Sequence, residues 1–207
     1  MINVDTGTEE PLCCIDQRVA TITLNNPHKK NVLGDILTPA LKQILFDLED
    51  NDQIGCIMLT GSGDAFCFGG DVTGMGGGSS RTISTKQKRV DQLTHAQKTL
   101  TQRLHEHPKI TIAALPGAAA GAGLSIALAC DLRVASENAF ITTAFVNIGL
   151  PGDYGNSWFL TRLVGLAQAK ELFYLSERIN ASDAMQMGIV NRLLTTPEES
   201  HRNPLKR

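Results

Sequence analysis

Two glycine-rich stretches carry the chemistry this sequence could perform. The first is Phe66-Cys-Phe-Gly-Gly-Asp71 and the second is Pro116-Gly-Ala-Ala-Ala-Gly-Ala-Gly123. Each follows an apolar run that reads as a strand, Ile54 to Thr60 and Thr111 to Leu115, and the second opens into an apolar helix. Small residues let a ligand approach the main chain closely. A helix N-terminus then aims free N–H groups and a partial positive charge at it. A pair of such N–H groups suits an enolate or an oxyanion. The same residues also serve tight packing of helix on strand, and residue type alone leaves both readings open. Neither stretch matches the G-x-G-x-x-G fingerprint or the P-loop lysine signature.

Thiols and imidazoles offer less. Cys13, Cys14, Cys56, Cys67 and Cys130 form an odd set with no C-x-x-C or zinc spacing, the pattern of reduced, buried thiols. His105 and His107 stand two apart, so a helix points them to different faces. His28, His95 and His201 have no partner pattern. No metal site is expected.

The elements that must position the loops follow from periodicity. Val19 to Leu24 alternates and is β-branched, so it reads as a strand, and Leu12 to Ile15 pairs with it through Asp16-Gln17. Asn25-Asn26-Pro27 is a turn. Asp35 to Asp50 reads as a helix with Ile36, Leu37, Ala40, Leu41, Ile44, Leu45 and Leu48 on one stripe and Pro39 near its first turn. Gly61 to Gly78 reads as loop, with a flexible crossing at Gly76-Gly77-Gly78-Ser79-Ser80. Gln87 to His107 reads as a polar-faced helix closed by Pro108. Gly121 to Cys130, Ser157 to Val164, Ala167 to Leu175 and Ser182 to Met187 read as helices. Leu132 to Ala135, Ala139 to Thr142 and Val190 to Leu194 read as strands. This alternation predicts an α/β fold with crossover connections. No internal repeat is visible.

The chain has 207 residues, a formal charge of −2 and 42% hydrophobic residues, which suits one domain of ordinary size. The near-neutral balance speaks against nucleic acid and anionic membranes as partners, since both need a basic surplus. Ile110 to Cys130 carries no charge and is long enough to span a bilayer. Pro116-Gly117, Gly121 and Gly123 punctuate it, so a strand, a glycine turn and a buried helix are expected there instead. Met1 to Pro11 resembles neither a signal nor a transit peptide, and a cytoplasmic location is the expectation.

Six segments, in order, resemble the crotonase superfamily, the enoyl-CoA hydratases and isomerases. They are Leu24-Asn-Asn-Pro-His-Lys-Lys-Asn-Val-Leu33, Ile57-Met-Leu-Thr-Gly61 with Ala65-Phe-Cys-Phe-Gly-Gly-Asp-Val72, and the run from Ile112 to Ala135 through Pro116-Gly117 and Gly121-Ala-Gly123. Asn147-Ile-Gly-Leu150, Phe159-Leu-Thr-Arg-Leu-Val-Gly165 and Ala181-Ser-Asp-Ala-Met-Gln-Met-Gly-Ile-Val-Asn191 follow. The resemblance spans about Val19 to Leu194. It implies an α/β spiral of ββα units, assembled as a trimer or a dimer of trimers. It divides the chain into an N-terminal segment with a first strand (1–18), a core domain (19–194) and a polar tail (195–207). Family members usually continue past Gly188-Ile-Val-Asn191 for two or more helices, so this chain is expected to lack most of the C-terminal helical region.

The resemblance also implies an acyl-CoA thioester as substrate, with no cofactor beyond the CoA the substrate carries. A thioester enolate would be held by the N–H groups of Gly70 and Ala122. Lys29, Lys30, Phe68, Gly70 and Asp71 would lie near adenine and pantetheine. The two lysines also read as a solvated surface pair, and Asp71 as a cap of the following turn. Hydratases of the family use two glutamates, and the matching positions here are Ser125 and Ala144, neither of which can act as acid or base.

A different carboxylate, Asp153, lies nine residues past Ala144. Some enoyl-CoA isomerases, including the ring-opening type of aromatic catabolism, carry a single acid at the matching place, and a dehalogenase branch uses an Asp there as nucleophile. One carboxylate can take a proton from C2 of a 3-enoyl thioester and return it at C4. Phe68, Phe145 and Trp158 are expected to bury it and to suit an apolar or aromatic acyl group. Gly-Asp-Tyr-Gly is also good turn chemistry. Tyr154 reads as a packing residue or as a hydrogen-bond donor to the acyl group, Trp158 reads also as core, and Ser125 and Ala144 are expected to face the pocket. The leading expectation is enoyl-CoA double-bond isomerisation. Its alternatives are hydration of a 2-enoyl-CoA and a non-catalytic acyl-CoA-binding or interaction protein.

Overall fold

The computed structural model describes residues 1–71 and 85–195. The expected glycine-serine crossing at Gly76–Ser80 and the tail from 196 onward lie outside the described residues.

The chain opens with three antiparallel strands, β1 (Ile2–Val4), β2 (Pro11–Asp16) and β3 (Val19–Leu24), in which Cys13 pairs with Ile22. Helix α1 (Leu37–Glu49) follows and buries Leu37, Leu41, Ile44, Leu45 and Leu48 at helical spacing. Ile36, expected on that stripe, sits just before the helix and is exposed.

Three ββα units come next. The first is β4 (Cys56–Gly61), β5 (Ala65–Cys67) and α2 (Lys86–Gln97). A π-helical turn, Lys98–Gln102, and the short α3 (Arg103–His105) extend α2. The second unit is β6 (Ile110–Leu115), β7 (Ala118–Ala120) and α4 (Ala122–Ala129), and the third is β8 (Leu132–Ser136), β9 (Phe140–Thr142) and α5 (Asn156–Val164). Helix α6 (Leu166–Leu175), β10 (Ile179–Asn180), α7 (Ala181–Gln186) and β11 (Arg192–Leu194) complete the described chain.

Each unit sends its first strand to a seven-stranded sheet, ordered β1-β2-β3-β4-β6-β8-β11, and its second to a four-stranded sheet, ordered β10-β9-β7-β5. From β3 to β11 the large sheet is parallel. Its strands are covered on both faces: Ile57 and Leu59 join the main core, while Met58 packs with Ile112, Ala114 and Val134. That double burial explains the unbroken apolar run of β4. The repeat missing from the sequence is thus present in space. Its second strands are only three residues long: β9 is legible in the sequence, but β5 and the all-alanine β7 carry no period-2 signal and read as loop.

The uncharged run from Ile110 to Cys130 is β6, β7 and α4. All eight residues of α4 are buried, since it lies between the two sheets and α5 rather than on a surface. No helix among the described residues is long and apolar enough to cross a membrane. Arg133 fastens the last segment to the core. Its buried guanidinium donates to the carbonyls of Ile189 (2.6 Å) and Cys130 (2.7 Å), and Asn191 exchanges two hydrogen bonds with its main chain. Those carbonyls replace the water a buried charge gives up.

Candidate active site

The first glycine-rich loop is held by the segment before α1. Phe68 N–H donates to the Lys30 carbonyl, Leu33 N–H to the Gly69 carbonyl, and Asp71 N–H to the Leu33 carbonyl. This is a one-residue parallel bridge between Leu33 and Gly70. In a parallel ladder alternate residues turn their N–H groups to opposite sides. The bridge therefore uses residues 69 and 71 and leaves the Gly70 N–H facing away from Leu33, with no acceptor among the described residues. A Cβ at Gly70 would meet nothing within 4 Å among the described residues. Asn31 keeps the supporting segment in place: its buried side chain donates to the carbonyls of Ser62 and Ala65 (2.9 Å each) and accepts from Asn26 N–H. Asn31 lies inside the Leu24–Leu33 segment, but nothing in its own spacing marks it.

The second loop delivers the N-terminus of α4 beside the first. Gly121 has φ +52° and ψ −124°, a conformation closed to side-chain-bearing residues, and it turns the chain from β7 into the helix. Gly123 lies against β5, where a methyl would stand 2.2 Å from the Cys67 carbonyl oxygen. No side chain caps this helix, so its first amides, Ala122 foremost, are uncapped. A Cβ built on Gly69 would be 3.5 Å from the Ala122 nitrogen, which measures how closely the loops meet.

The third component is the turn from Gly149 to Gly155. Gly149, Gly152, Tyr154 and Gly155 all have positive φ, which winds the chain tightly before α5. Asp153 sits in it, half-buried, so the turn reading and the carboxylate reading describe one place. Its carbonyl accepts from Ser125 Oγ (3.0 Å) and Asn156 N–H (3.1 Å). Its Oδ1 accepts from Tyr154 N–H (2.6 Å) and Gln97 Nε2 (3.3 Å). Tyr154 packs on the core, and burial, then the charge of Asp153, push its phenol above the ordinary value. Its hydroxyl has no hydrogen-bond partner among the described residues.

Several expected positions are corrected. Ser125 does not open onto a pocket. It is fully buried, and its hydroxyl lies between the carbonyls of Gly121 and Asp153 while accepting from Asn156 Nδ2. It joins α4 to the Asp153 turn. Phe68, Phe145 and Trp158 do not form one aromatic wall. Phe68 is exposed beside Lys30, and Phe145 is buried and stacks on Phe173 near Gly121. Trp158 lies 44% exposed under the Arg162 guanidinium, against His105 and Phe159. The neighbours recorded on the Asp153 carboxylate are instead polar, Gln97 and a main-chain amide. Ala144 is half-buried with φ +58°. Lys29 and Lys30 are neither bare nor merely solvated: Lys29 Nζ pairs with Asp71 (3.3 Å) and Lys30 Nζ with Asp64 (2.6 Å), and the Lys30 contact holds the Asp64 carboxyl below its ordinary value. Gln97 was missed. Its partner lies 56 residues away, and no local pattern announces the pair.

Repeated ββα units, with two glycine loops meeting at a buried helix N-terminus, define a spiral of the crotonase type. The chain belongs to the enoyl-CoA hydratase/isomerase family, which it matches over residues 15–207. It is 33% identical over 179 residues to the 1,2-epoxyphenylacetyl-CoA isomerase of Escherichia coli K12, covering 85% of this chain and 66% of that protein. It is 33% identical over 177 residues to 4-chlorobenzoyl coenzyme A dehalogenase-1 of an Arthrobacter species, covering 86% and 63%. Among solved structures, an enoyl-CoA hydratase subunit of Geobacillus kaustophilus HTA426 superposes with a TM-score of 0.82 at 30% identity, covering 93% of this chain and 71% of that one. The chain spans just under two thirds of the length of these curated relatives.

Proposed function

We propose that this chain carries an acyl-CoA site for enoyl-CoA double-bond isomerisation. The N–H groups of Gly70 and Ala122 bind the thioester oxygen as it becomes an enolate. Asp153 takes the proton from C2 of a 3-enoyl-CoA and returns it at C4, giving the conjugated thioester. Tyr154 donates its unpaired hydroxyl to the acyl group. Lys29, Lys30, Phe68 and Asp71 border the entry taken by CoA, and Phe145 lines the acyl side. CoA is part of the substrate, and no separate cofactor is required.

The observation that carries this reading is the Ser125 hydroxyl, which spans the Gly121 and Asp153 carbonyls and so ties the one candidate acid to the start of α4. With Ser125 and Ala144 at the two glutamate positions, the usual water-activating pair is absent, which favours isomerisation over hydration. The relatives' names span an isomerase, a dehalogenase and a hydratase of CoA compounds, so the choice among reactions rests on this chain's own residues. Trimeric self-association belongs to the same reading and is supported by the exposed apolar run Val146, Ile148 and Leu150 beside the site.

The test is the ultraviolet absorbance of a 3-enoyl-CoA incubated with the pure protein, with calorimetry of CoA-ester binding alongside. Conjugation should appear, and Asp153→Asn should reduce it to a small residual rate while sparing binding. Binding without turnover would favour the non-catalytic alternative. Undiminished turnover by Asp153→Asn would remove Asp153 from the mechanism.

A further inference from the structure

The carboxylate of Asp153 is bound unevenly. Both hydrogen bonds it accepts, from Tyr154 N–H and Gln97 Nε2, end on Oδ1, and Oδ2 accepts none among the described residues. Gln97 is the last residue of α2, and the π-helical turn Lys98–Gln102 starts immediately after it. A π turn inserts an extra residue and frees carbonyls from the α-helical ladder, and such turns concentrate at functional sites. Here threonine hydroxyls add a second layer of bonds to carbonyls of this stretch. Thr99 Oγ1 donates to the His95 carbonyl (2.8 Å), and the buried Thr101 hydroxyl donates to the Gln97 carbonyl (3.4 Å). Past the turn, Leu100 and Leu104 anchor the helix in the core. The backbone of Gln97 is thus fixed from one side while its side chain reaches the acid on the other.

We infer that Gln97 is a positioning residue for the proton-transferring acid: it pins Oδ1 of Asp153 and leaves Oδ2 as the basic oxygen. This rests on the role proposed for Asp153. A hydrogen bond to one oxygen stops the carboxylate from rotating and holds its free lone pairs in one direction. Its contribution should therefore appear in the chemical step rather than in substrate binding.

The experiment has two arms on the full chain. In the kinetic arm, Gln97→Met keeps length, helix preference and packing but donates no hydrogen bond. Its kcat on a 3-enoyl-CoA should fall about tenfold, the scale of one lost hydrogen bond to a charged group, with KM within about twofold and the melting temperature unchanged. Placed on Asp153→Asn, the same change should lower the residual rate no further. Unchanged kcat in Gln97→Met, or an undiminished drop on the Asp153→Asn background, overturns the inference.

The second arm needs no turnover. The side-chain amide cross-peak of Gln97, assigned by its loss in Gln97→Met, should move as acid protonates Asp153 and stop moving in Asp153→Asn. Among the described residues the titratable group against Asp153 is Tyr154, whose raised phenol lies outside an acid titration. His95, one turn before the π segment, is present in both proteins, so the comparison subtracts any effect it has. A cross-peak indifferent to pH, or moving alike in both, overturns the inference. If Asp153→Asn keeps full turnover while the cross-peak still reports on Asp153, the reaction assignment fails but the Gln97 contact stands.

Discussion

Gly123→Ala is the most informative single perturbation, because one methyl tests packing and site together. That methyl would stand 2.2 Å from the Cys67 carbonyl oxygen, 2.7 Å from its carbon and 2.8 Å from the Cys67 Cβ. Ordinary contact begins near 3.4 Å, so α4 and β5 must part by about 1.2 Å. Two of the three obstructing atoms are main chain, so no rotamer change relieves the clash, and trimming Cys67 to alanine should not rescue it. Overpacking of this kind costs about 1–3 kcal/mol, which in a domain of this size is about 2–4 °C of melting temperature per kcal/mol.

The direction of the shift matters more than its cost. Helix α4 begins at Ala122, and β5 runs into Gly69-Gly70. Separating the two elements widens the gap between the proposed N–H donors. A misplacement near 1 Å lowers a rate by about a hundredfold. The assay pairs urea denaturation with initial rates of thioester conjugation. Gly121→Ala is the contrasting variant: its methyl meets nothing nearer than 3.7 Å, so it should cost backbone strain alone, about 1–3 kcal/mol. Full stability together with full rate in Gly123→Ala would refute the reasoning, since the close approach would then set neither the packing nor the donor spacing.

Other expectations follow from the same contacts. Arg133→Met keeps most of the buried volume but strands the Ile189 and Cys130 carbonyls, so urea denaturation should show a loss of about 2–4 kcal/mol; an unchanged midpoint would count against it. Tyr154→Phe removes a hydroxyl with no protein partner among the described residues, so stability should hold while turnover of the 3-enoyl-CoA falls; equal rates would end the proposed contact with the acyl group. Burial pushes the thiols of Cys67 and Cys130 up to about 12 and of Cys13 to about 11. Their neutral forms are favoured in the fold, so their stabilisation is complete below pH 9 and drains away as pH rises towards 11 and 12. Denaturation midpoints should therefore fall between pH 9 and 11, and a thiol reagent at pH 8 should reach Cys14 and Cys56 well before the other three.

The legible parts of this fold share one property: their signal repeats within the element. Helix α1 shows its stripe over thirteen residues, and β4 and β6 show the solid apolar runs of doubly covered strands. The illegible parts depend on distant partners. Strand β5 is Ala-Phe-Cys and becomes a strand by pairing with β7, more than fifty residues later. Trp158 reads as core or as pocket wall, and it is neither: it lies on the outer side of α5, 44% exposed, where Arg162 one turn on shares its face. Gln97 carries no local mark because its role depends on a contact formed only in the folded chain.

The two readings of the glycine loops, close packing and ligand approach, converge in the structure. Gly123 lies against the Cys67 carbonyl because no side chain intervenes, and that contact is what brings the start of α4 within reach of the Gly69-Gly70 bridge. A site whose chemistry is done by main-chain amides needs small residues for packing and for access alike, so residue type cannot separate the two. What separates them is direction. The Leu33 bridge consumes the hydrogen bonds of residues 69 and 71 and spares the Gly70 amide, and α4 leaves its first amides uncapped. Packing alone would be served as well by pairing those groups. Among the described residues these two donors are left unpaired, and in the reading proposed above a ligand takes them up.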